Sequence, residues 1–334
     1  MASDAISVLG AGSWGTALAI RLATKHDTLL WGHEPDVMSR LASTRENSKF
    51  LPGIQFPERL QIETDLANTV HASRDLLIVV PSHAFREVIK NITGHLKDDS
   101  RIAWATKGLE HGSGKFMSDV LDEELGTRYP AAVVSGPTFA LEVARGLPTA
   151  LTVASTNPAF ANDMAARLHG DVMRVYTSDD MIGVQLGGTV KNVLAIASGI
   201  TDGLQLGANS RAALITRGLA EIIRLGDAMG ARRETLMGLA GVGDLILTCT
   251  DDLSRNRRLG LALGRGTALK VAVEEIGQVV EGFNTAREVV QLAREYRVDM
   301  PISEQVYHVL HEGLSPRDAV HNLLSRDIRP ESAG

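Results

Sequence analysis

The sequence is poor in cysteine: Cys249 is the single thiol among 334 residues. One thiol excludes an internal disulfide, and without a second cysteine we expect Cys249 to be a small buried hydrophobic residue, with no metal site in the chain. A chain without disulfides fits a reducing compartment. The first residues show no basic region followed by an apolar core, so we expect no signal peptide and a cytoplasmic location.

Positive charge is also in short supply. The 34 lysines and arginines are outnumbered by 40 aspartates and glutamates, which gives a formal net charge of -6. No global positive field therefore attracts nucleic acid or an anionic membrane, and any anion site must be built from a few placed residues. We expect a small-molecule substrate and no nucleic-acid partner.

Long hydrophobic runs are missing as well. The nearest approach is the segment of 21 residues between Asp180 and Asp202, but its glycines and polar side chains make it a poor membrane span, so we expect no integral membrane segment. The only ionisable group in this segment is Lys191. Burial would lower the pKa of this lysine and suit it to donate and accept protons. Alternatively, its stem packs against apolar neighbours while its ammonium group reaches water.

What is present is enough chain for two domains, which we place at 1–180 and 181–334. In the first, short apolar runs alternate with helical segments. Because several runs lack polar alternation, they are typical of strands buried on both faces in a parallel sheet, and we predict an α/β, doubly wound sheet of the Rossmann type. Its strands are predicted at Ala5–Leu9, Thr28–Trp31, Leu76–Val80, Arg101–Thr106, Ala131–Ser135, Thr149–Ala154 and Met173–Tyr176.

After about Asp179 helical periodicity replaces the strand signals, so the second domain is predicted to be all α-helical. Ser315 and Pro316 supply the N-cap and the first-turn proline of a last helix. The tail from Arg329 to Gly334 is expected to be disordered. The other main helices are predicted at Met181–Thr201, Arg211–Met229, Arg255–Leu263, Asn284–Tyr296 and around Ser303–Leu310.

Three spaced glycines, Gly10, Gly12 and Gly15, directly follow the first strand and open a helix. In that context the first permits a tight turn, the second lets backbone approach a pyrophosphate, and the third lets helix and strand pack closely. The pattern favours a dinucleotide-binding loop over a merely glycine-rich turn.

The end of the second strand bears on the choice of dinucleotide. An acidic residue there binds the adenosine ribose of NAD, but this sequence has His33, followed by Glu34. Because a histidine suits a 2′-phosphate, we favour NADP(H) and leave NAD(H) open. The alternative is that His33 is a solvent-facing loop residue.

Two clusters follow predicted strands of the first domain. Lys107 comes directly after Arg101–Thr106 and is expected to point into the crevice above the sheet, unless it is an ordinary exposed loop lysine. Gly136 and Thr138 stand between a strand and a helix, where backbone amides and a hydroxyl suit an anion or a substrate oxygen. Their alternative role is a turn with a helix cap.

Two more clusters lie in the second domain. Asp244 stands in an apolar segment and needs a cation, for which Lys191 is the natural partner, although Asp244 could equally cap a helix. Ser254, Arg255 and Asn256 stand at a predicted helix start, where a hydroxyl, a guanidinium and an amide suit a phosphate. Arginines on a helix are otherwise typical of a solvated face. Together, the clusters indicate hydride transfer to a carbonyl, a proton from a lysine, and a phosphate-bearing substrate.

The motifs resemble those of bacterial NAD(P)-dependent glycerol-3-phosphate dehydrogenases, collinearly from about residue 5 to about residue 325. The resemblance implies reversible interconversion of dihydroxyacetone phosphate and sn-glycerol 3-phosphate, mainly toward the glycerol phosphate that begins phospholipid synthesis. It also implies a helical second domain of the 6-phosphogluconate dehydrogenase type and, commonly, a homodimer. The matching segments are GAGSWGTA (10–17), VVPSH (79–83), ATKG (105–108), SGPTFA (135–140), QLGGTVKNV (185–193), GDLILTCT (243–250), SRNRRLG (254–260) and GQVVEG (277–282).

The resemblance also implies roles for individual residues. Lys191 is implied to be the proton donor and acceptor, Asp244 to tune it and touch the substrate, and Lys107 to contact substrate and cofactor. The remaining implied substrate contacts are Gly136, Thr138, Ser254, Arg255 and Asn256, and the implied cofactor contacts are Ser13, Trp14, His33, Ala140, Arg255, Val279 and Glu281.

Two other readings compete with this one. A β-hydroxyacid or 6-phosphogluconate dehydrogenase would share the architecture and a lysine on the long helix, but is not expected to carry the SRN and GDLILTCT segments together. A non-catalytic dinucleotide sensor would need no proton donor, so the set Lys191, Asp244 and Arg255 argues against it.

Overall fold

The computed structural model describes residues 5–328 and Pro330, and the chain divides into two compact units. One unit runs through Thr106 and resumes with Met117–Met181, while the other comprises Lys107–Phe116 and the chain from Ile182 onward. A division at residue 180 did not anticipate that 107–116 belongs with the second unit. Apart from Pro330, the tail that we expected to be disordered lies outside the described residues.

A single sheet organises the first unit. Its strands are β1 (Ile6–Leu9), β2 (Thr28–Trp31), β3 (Leu60–Glu63), β4 (Asp75–Ile78), β5 (Arg101–Trp104), β6 (Ala131–Ser135), β7 (Thr149–Ala154) and β8 (Met173–Ser178). They lie in the order β3-β2-β1-β4-β5-β6-β7-β8, and neighbours are parallel except for β6 and β7. The order reverses between β1 and β4, which is where doubly wound sheets bind ligands beyond the carboxyl ends of their strands.

The doubly wound fold is confirmed, and all seven predicted strands form. The sequence did not reveal β3, a short strand in which only Leu60 is buried. Continuous burial of β1, β4 and β5 explains why these strands read as unbroken apolar runs. The helices of this unit are α1 (Ser13–Leu22), α2 (Pro35–Thr44), α3 (Leu66–Ala72), α4 (Phe85–Thr93), α5 (Met117–Leu125), α6 (Ala140–Ala144) and α7 (Pro158–Leu168).

From Ile182 onward, the regular structure of the second unit is helical over the described residues, as predicted. Ser315 caps the last helix by accepting a hydrogen bond from the Asp318 amide at 3.1 Å, and Pro316 is its first residue. The three short helices α10, α11 and α13 were not predicted. The helices are α8 (Met181–Gly203), α9 (Gly207–Met229), α10 (Arg233–Leu236), α11 (Asp244–Thr250), α12 (Arg255–Gly264), α13 (Leu269–Ile276), α14 (Glu281–Glu295), α15 (Pro301–His311) and α16 (Pro316–Leu324).

Helices α8 and α12 cross in backbone contact because glycines face each other. A Cβ atom on Gly199 would lie 2.1 Å from the Arg257 carbonyl oxygen, and one on Gly260 would lie 2.0 Å from that of Ile196. Neither position therefore accepts a side chain. This contact fixes the start of α12 relative to α8, the helix that carries Lys191.

No helix among the described residues is long and apolar enough to cross a membrane. Almost all residues of α8 are buried.

Candidate active site

The glycine loop between β1 and α1 has the geometry that dinucleotide binding needs. Gly10 has a φ of 127°, and a Cβ there would lie 2.2 Å from the Val79 carbonyl oxygen. A Cβ on Gly15 would lie 1.9 Å from the carbonyl oxygen of Gly10, so the helix packs directly on the loop. Gly10 and Gly15 are therefore required by the packing of the loop, whether or not a dinucleotide is bound.

Gly12 differs, because a Cβ there would meet nothing within 4 Å. The space beside it is open at the N-terminus of α1, where backbone N–H groups and the helix dipole favour a pyrophosphate. Ser13 and Trp14 form the first turn, and the buried indole Nε1 of Trp14 has no hydrogen-bond partner among the described residues. The open face and the unused donor fit a dinucleotide.

Asn47 holds this loop from the side and was not singled out from the sequence. Its side-chain amide donates to the Ala11 carbonyl oxygen at 3.0 Å and to Thr16 Oγ1 at 2.9 Å. The residue is buried and lies far from the loop in sequence, so no local pattern identifies it.

His33 lies just beyond the carboxyl end of β2, and its side chain is 83% exposed. Its Nε2 lies 3.5 Å from Glu34 Oε1. The imidazole is therefore accessible to a bound anion, with a carboxylate beside it that opposes one.

Gly136 and Thr138 follow β6 in a constrained turn. Gly136 has a φ of 150°, and a Cβ there would lie 2.8 Å from Leu151 Cα. The Thr138 hydroxyl donates to the Gly136 carbonyl oxygen at 3.1 Å, and Ala140 begins α6. These contacts hold the turn in one conformation. Both interpretations of Gly136 and Thr138, a substrate contact and a purely structural turn, require such a conformation.

Lys191, Asp244 and Lys107 meet in the second unit. Lys191 Nζ donates to Asp244 Oδ1 at 2.7 Å and to Thr248 Oγ1 at 2.9 Å. The other carboxylate oxygen of Asp244 accepts from Lys107 Nζ at 2.7 Å. Lys191 and Asp244 are buried, so the reading of Lys191 as a lysine that reaches water does not apply. Lys107, expected in the crevice above the sheet, belongs to this cluster.

Local backbone geometry places Asp244 inside a continuous helical stretch. A π-helical turn, Leu239–Gly243, runs directly into α11, whose first residue is Asp244. A Cβ on Gly187 would lie 2.4 Å from the Ala240 carbonyl oxygen. Gly187 stands one turn before Lys191 on α8, and its lack of a side chain lets that face of α8 contact the π-helical turn.

The environment lowers the pKa of Lys191 to about 8. Burial is the largest cause, and the positive charge of Lys107 lowers the pKa further. The carboxylate of Asp244 opposes both effects but does not cancel them. An amine with a pKa near neutrality can both give and take a proton at physiological pH.

Ser254, Arg255 and Asn256 form a second cluster at the start of α12. Ser254 caps the helix, its Oγ accepting from the Arg257 amide at 3.2 Å. Asn256 donates to Asn192 Oδ1 at 2.9 Å and accepts from the Gly282 amide at 2.9 Å. These bonds join α12 to α8 and α14.

The side chain of Arg255 extends away from Ser254 and Asn256, toward the loop before α14. Its Nη1 donates to Gln278 Oε1 at 3.3 Å. Burial lowers its pKa, and the nearby carboxylate of Glu281 partly restores it. Val279 is exposed and Glu281 begins α14, so these two predicted cofactor residues lie on the segment that Arg255 contacts.

Sequence reasoning missed two residues that contact the predicted ones. Thr248 lies one helical turn after Asp244, a spacing that could have identified it, and bonds Lys191. Asn192 follows Lys191 directly and bonds Asn256, so α8 contributes to both clusters. The first-unit residues Gly10, Gly12, His33, Gly136 and Thr138 belong to a separate unit.

The chain is similar to known proteins over nearly its whole length. A family model described as the N-terminus of NAD-dependent glycerol-3-phosphate dehydrogenase matches residues 5–161, and the corresponding C-terminus model matches residues 180–321. A glycerol-3-phosphate dehydrogenase [NAD(P)+] of Shewanella frigidimarina is 57% identical over 329 residues, which cover 98% of this chain and 97% of that protein. The enzyme of the same name from Thioalkalivibrio sulfidiphilus is 58% identical, covering 99% of this chain and all (100%) of that protein.

A solved structure is also similar over nearly the whole chain. The crystal structure of glycerol-3-phosphate dehydrogenase from Coxiella burnetii superposes with a TM-score of 0.94 at 50% sequence identity, covering 97% of this chain and 99% of that one.

Proposed function

Since this chain belongs to the NAD-dependent glycerol-3-phosphate dehydrogenase family, we propose that it reversibly reduces dihydroxyacetone phosphate to sn-glycerol 3-phosphate with NAD(H) or NADP(H). The observation that best supports this activity is the buried Lys191, held by Asp244 and Thr248 with its pKa lowered to about 8. A carbonyl reduction needs such a proton donor beside the substrate oxygen.

Lys191 is proposed to protonate the carbonyl oxygen at C2. The reduced nicotinamide, when bound, supplies the hydride that reaches the C2 carbon. As the C–O double bond becomes a single bond, the oxygen takes a proton from Lys191 Nζ, which is left as a neutral amine. In the reverse direction the neutral amine takes the proton from the C2 hydroxyl. Asp244 holds the ammonium in place and stabilises its charge between turnovers.

The phosphate of the substrate is proposed to bind at the start of α12. Ser254, Arg255 and Asn256 combine a hydroxyl, a guanidinium and an amide at a helix N-terminus, a donor set that suits a dianion. Lys107 is proposed as a further substrate and cofactor contact, and Gly136 and Thr138 as further substrate contacts, on the strength of the family resemblance.

The dinucleotide is proposed to bind the first unit through the glycine loop, with Ser13, Trp14, His33 and Ala140 as contacts. Arg255, Val279 and Glu281 are the proposed contacts from the second unit. The exposed imidazole of His33 supports the use of NADP(H), which we favour, while the adjacent carboxylate of Glu34 leaves NAD(H) competent.

We further infer a homodimer and a cytoplasmic location, with flux mainly toward the glycerol phosphate needed for phospholipid synthesis. The resemblance supports the dimer and the direction. The location is supported by the low cysteine content, since the single thiol, Cys249, is buried and free. Light scattering of the purified chain distinguishes a dimer from a monomer.

The decisive experiment follows nicotinamide absorbance with dihydroxyacetone phosphate, comparing NADH and NADPH. We expect both cofactors to be oxidised, with NADPH preferred. A 3-hydroxyacid and 6-phosphogluconate, offered with the oxidised cofactors, test the competing dehydrogenase readings. If neither reduced cofactor is consumed with dihydroxyacetone phosphate, the proposal is wrong; cofactor binding without turnover of any substrate would favour the sensor.

A further inference from the structure

The segment that holds Lys107 is tied to the second unit by one buried carboxylate that the proposed mechanism does not use. Glu288 lies on α14 and is 1% exposed. Its Oε1 lies 2.9 Å from His111 Nδ1 and accepts from the Gly112 amide at 3.4 Å. Its Oε2 is buried and has no partner among the described residues. Glu288 therefore makes its described polar contacts to one short turn of the 107–116 segment.

The turn that Glu288 grips is itself well defined. The Glu110 amide donates to the Lys115 carbonyl oxygen at 2.9 Å, and the Gly114 amide donates to that of Glu110 at 3.0 Å. Gly112 has a φ of 85°, which a glycine adopts without strain and which sets the direction of its N–H group. The turn thus presents a backbone donor and an imidazole to the same oxygen.

The segment also has two apolar anchors. Leu109 and Phe116 are buried in the core of the second unit. They flank the turn, while Lys107 lies before Leu109 and pairs with Asp244. Apolar packing is not directional, so Leu109 and Phe116 anchor the segment without setting its orientation. The hydrogen bonds to Glu288 Oε1 are directional and do set it.

We propose that Glu288 is a positioning residue of the active site: by holding the turn at His111 and Gly112, it keeps Lys107 against Asp244. This inference rests on the proposed function, in which Lys107 contacts the substrate. Loss of the Glu288 contacts makes the turn mobile, and Lys107 is then paired with Asp244 for a smaller fraction of the time. The expected consequence is weaker substrate binding, together with a smaller fall in kcat.

The primary test replaces Glu288 by Leu and by Gln. We expect Glu288→Leu to raise the KM for dihydroxyacetone phosphate about tenfold, the loss that one charged hydrogen bond typically represents. Glu288→Gln keeps an acceptor oxygen for the Gly112 amide and should recover most of this loss. Amide hydrogen exchange of residues 108–115 should accelerate in the Leu variant and return toward the wild-type rate in the Gln variant.

A matched control is available in the same unit. Glu221 is also a buried carboxylate that accepts backbone amides, from Ile302 at 2.6 Å and Ser303 at 3.1 Å, but it caps α15. Glu221→Leu should therefore destabilise the protein while leaving the substrate KM and the exchange of 108–115 unchanged. Equal effects of the two Leu variants would overturn the positioning role, because they would reflect general loss of stability.

A third variant covers the case in which Glu288→Leu does not fold. The His111 side chain is 48% exposed, so His111→Ala removes one of the two contacts with little cost to the core. It should change KM and exchange in the same direction, by less. Wild-type KM together with wild-type exchange at 108–115 would overturn the inference. If instead the wild-type chain does not reduce dihydroxyacetone phosphate, the proposed function fails, while hydrogen exchange still decides whether Glu288 holds the turn.

Discussion

Asp75 and Asp244, one in each unit, are both buried and both pair with two cations, and the cations differ. In the first unit, Asp75 is 0% exposed and pairs with Arg101 at 2.6 and 2.8 Å and with Arg167 at 2.6 Å. In the second unit, Asp244 is 1% exposed and pairs with Lys107 and Lys191, each at 2.7 Å.

The difference separates a structural ion cluster from a chemical one. Arginine keeps its proton at physiological pH, so the two cations of the Asp75 cluster cannot act as proton donors. Asp75 and Arg101 begin adjacent strands in register, at the amino ends of β4 and β5, away from the edge where such sheets bind ligands. Lysine loses its proton readily when buried, so the Asp244 cluster can exchange one. A buried aspartate between two cations therefore stabilises the fold when the cations are arginines, and can take part in proton transfer when they are lysines.

The largest effect is expected from removing the proton donor. Lys191→Met should lower kcat by roughly a hundredfold to ten-thousandfold, the usual contribution of a general acid, while leaving cofactor affinity near the wild-type value. Steady-state kinetics and titration of intrinsic fluorescence with NADPH measure the two quantities.

Lys191→Arg is the control for charge alone. It keeps a cation beside Asp244 but cannot give up a proton at neutral pH, so it should be nearly as inactive as the Met variant. If the Met variant turned over at the wild-type rate, Lys191 would have only a structural role, and the proposed difference between the two clusters would be wrong.

Breaking the arginine cluster should have the opposite signature. Arg101→Met leaves Asp75 with fewer partners in a buried site and should lower the free energy of unfolding by about 3 to 5 kcal/mol. The protein that remains folded should keep its kcat. Urea denaturation and kinetics on the same preparation test both parts; a large fall in kcat without loss of stability would contradict the structural assignment of this cluster.

The two clusters also differ in how far the sequence revealed them. Lys191 and Asp244 each stood alone in an apolar segment, and isolated charges of opposite sign predicted the observed pair. Asp75 and Arg101 gave no such signal, because each begins a strand and their pairing depends on sheet register. Parallel strands are joined by long crossover connections, so the residues that pair across them are far apart in sequence and local patterns do not identify them.

The position of Lys107 shows the same limit. Its place after β5 predicts a lysine in the crevice above the sheet but does not predict its partner. The pairing with Asp244 accompanies the burial of Leu109 and Phe116 in the helical core of the second unit, which is a long-range contact. The fold class, by contrast, was readable, because unbroken apolar runs and helical periodicity are local properties. Motif resemblance then identified the family, although it says nothing of Asn47 or Glu288.

A smaller effect is expected where arginine binds an anion instead of bracing a carboxylate. Arg255→Lys should raise the KM for dihydroxyacetone phosphate about tenfold with little change in kcat, because an ammonium cannot reproduce a bidentate grip on phosphate. Arg258, an exposed arginine on the same helix, supplies the control, and Arg258→Lys should leave KM unchanged. Equal KM values for the two variants would exclude Arg255 from the phosphate site.

The smallest effect concerns the neighbour that tunes Lys191. Reduction needs the protonated lysine, so its rate should fall as pH rises through about 8, by up to about tenfold per pH unit, and oxidation should show the reverse trend. Lys107→Met removes a positive charge that lowers the pKa of Lys191, so the descending limb should move to higher pH. Lys107→Arg keeps that charge, and the descending limb of its pH–rate profile should stay near pH 8 even if substrate affinity changes.

Because the comparison uses the position of the descending limb and not the absolute rate, it separates the electrostatic role of Lys107 from its role as a substrate contact. A Met variant whose limb does not move would show that burial alone sets the pKa of Lys191, and that the second cation of the Asp244 cluster acts as a brace, like the arginines around Asp75.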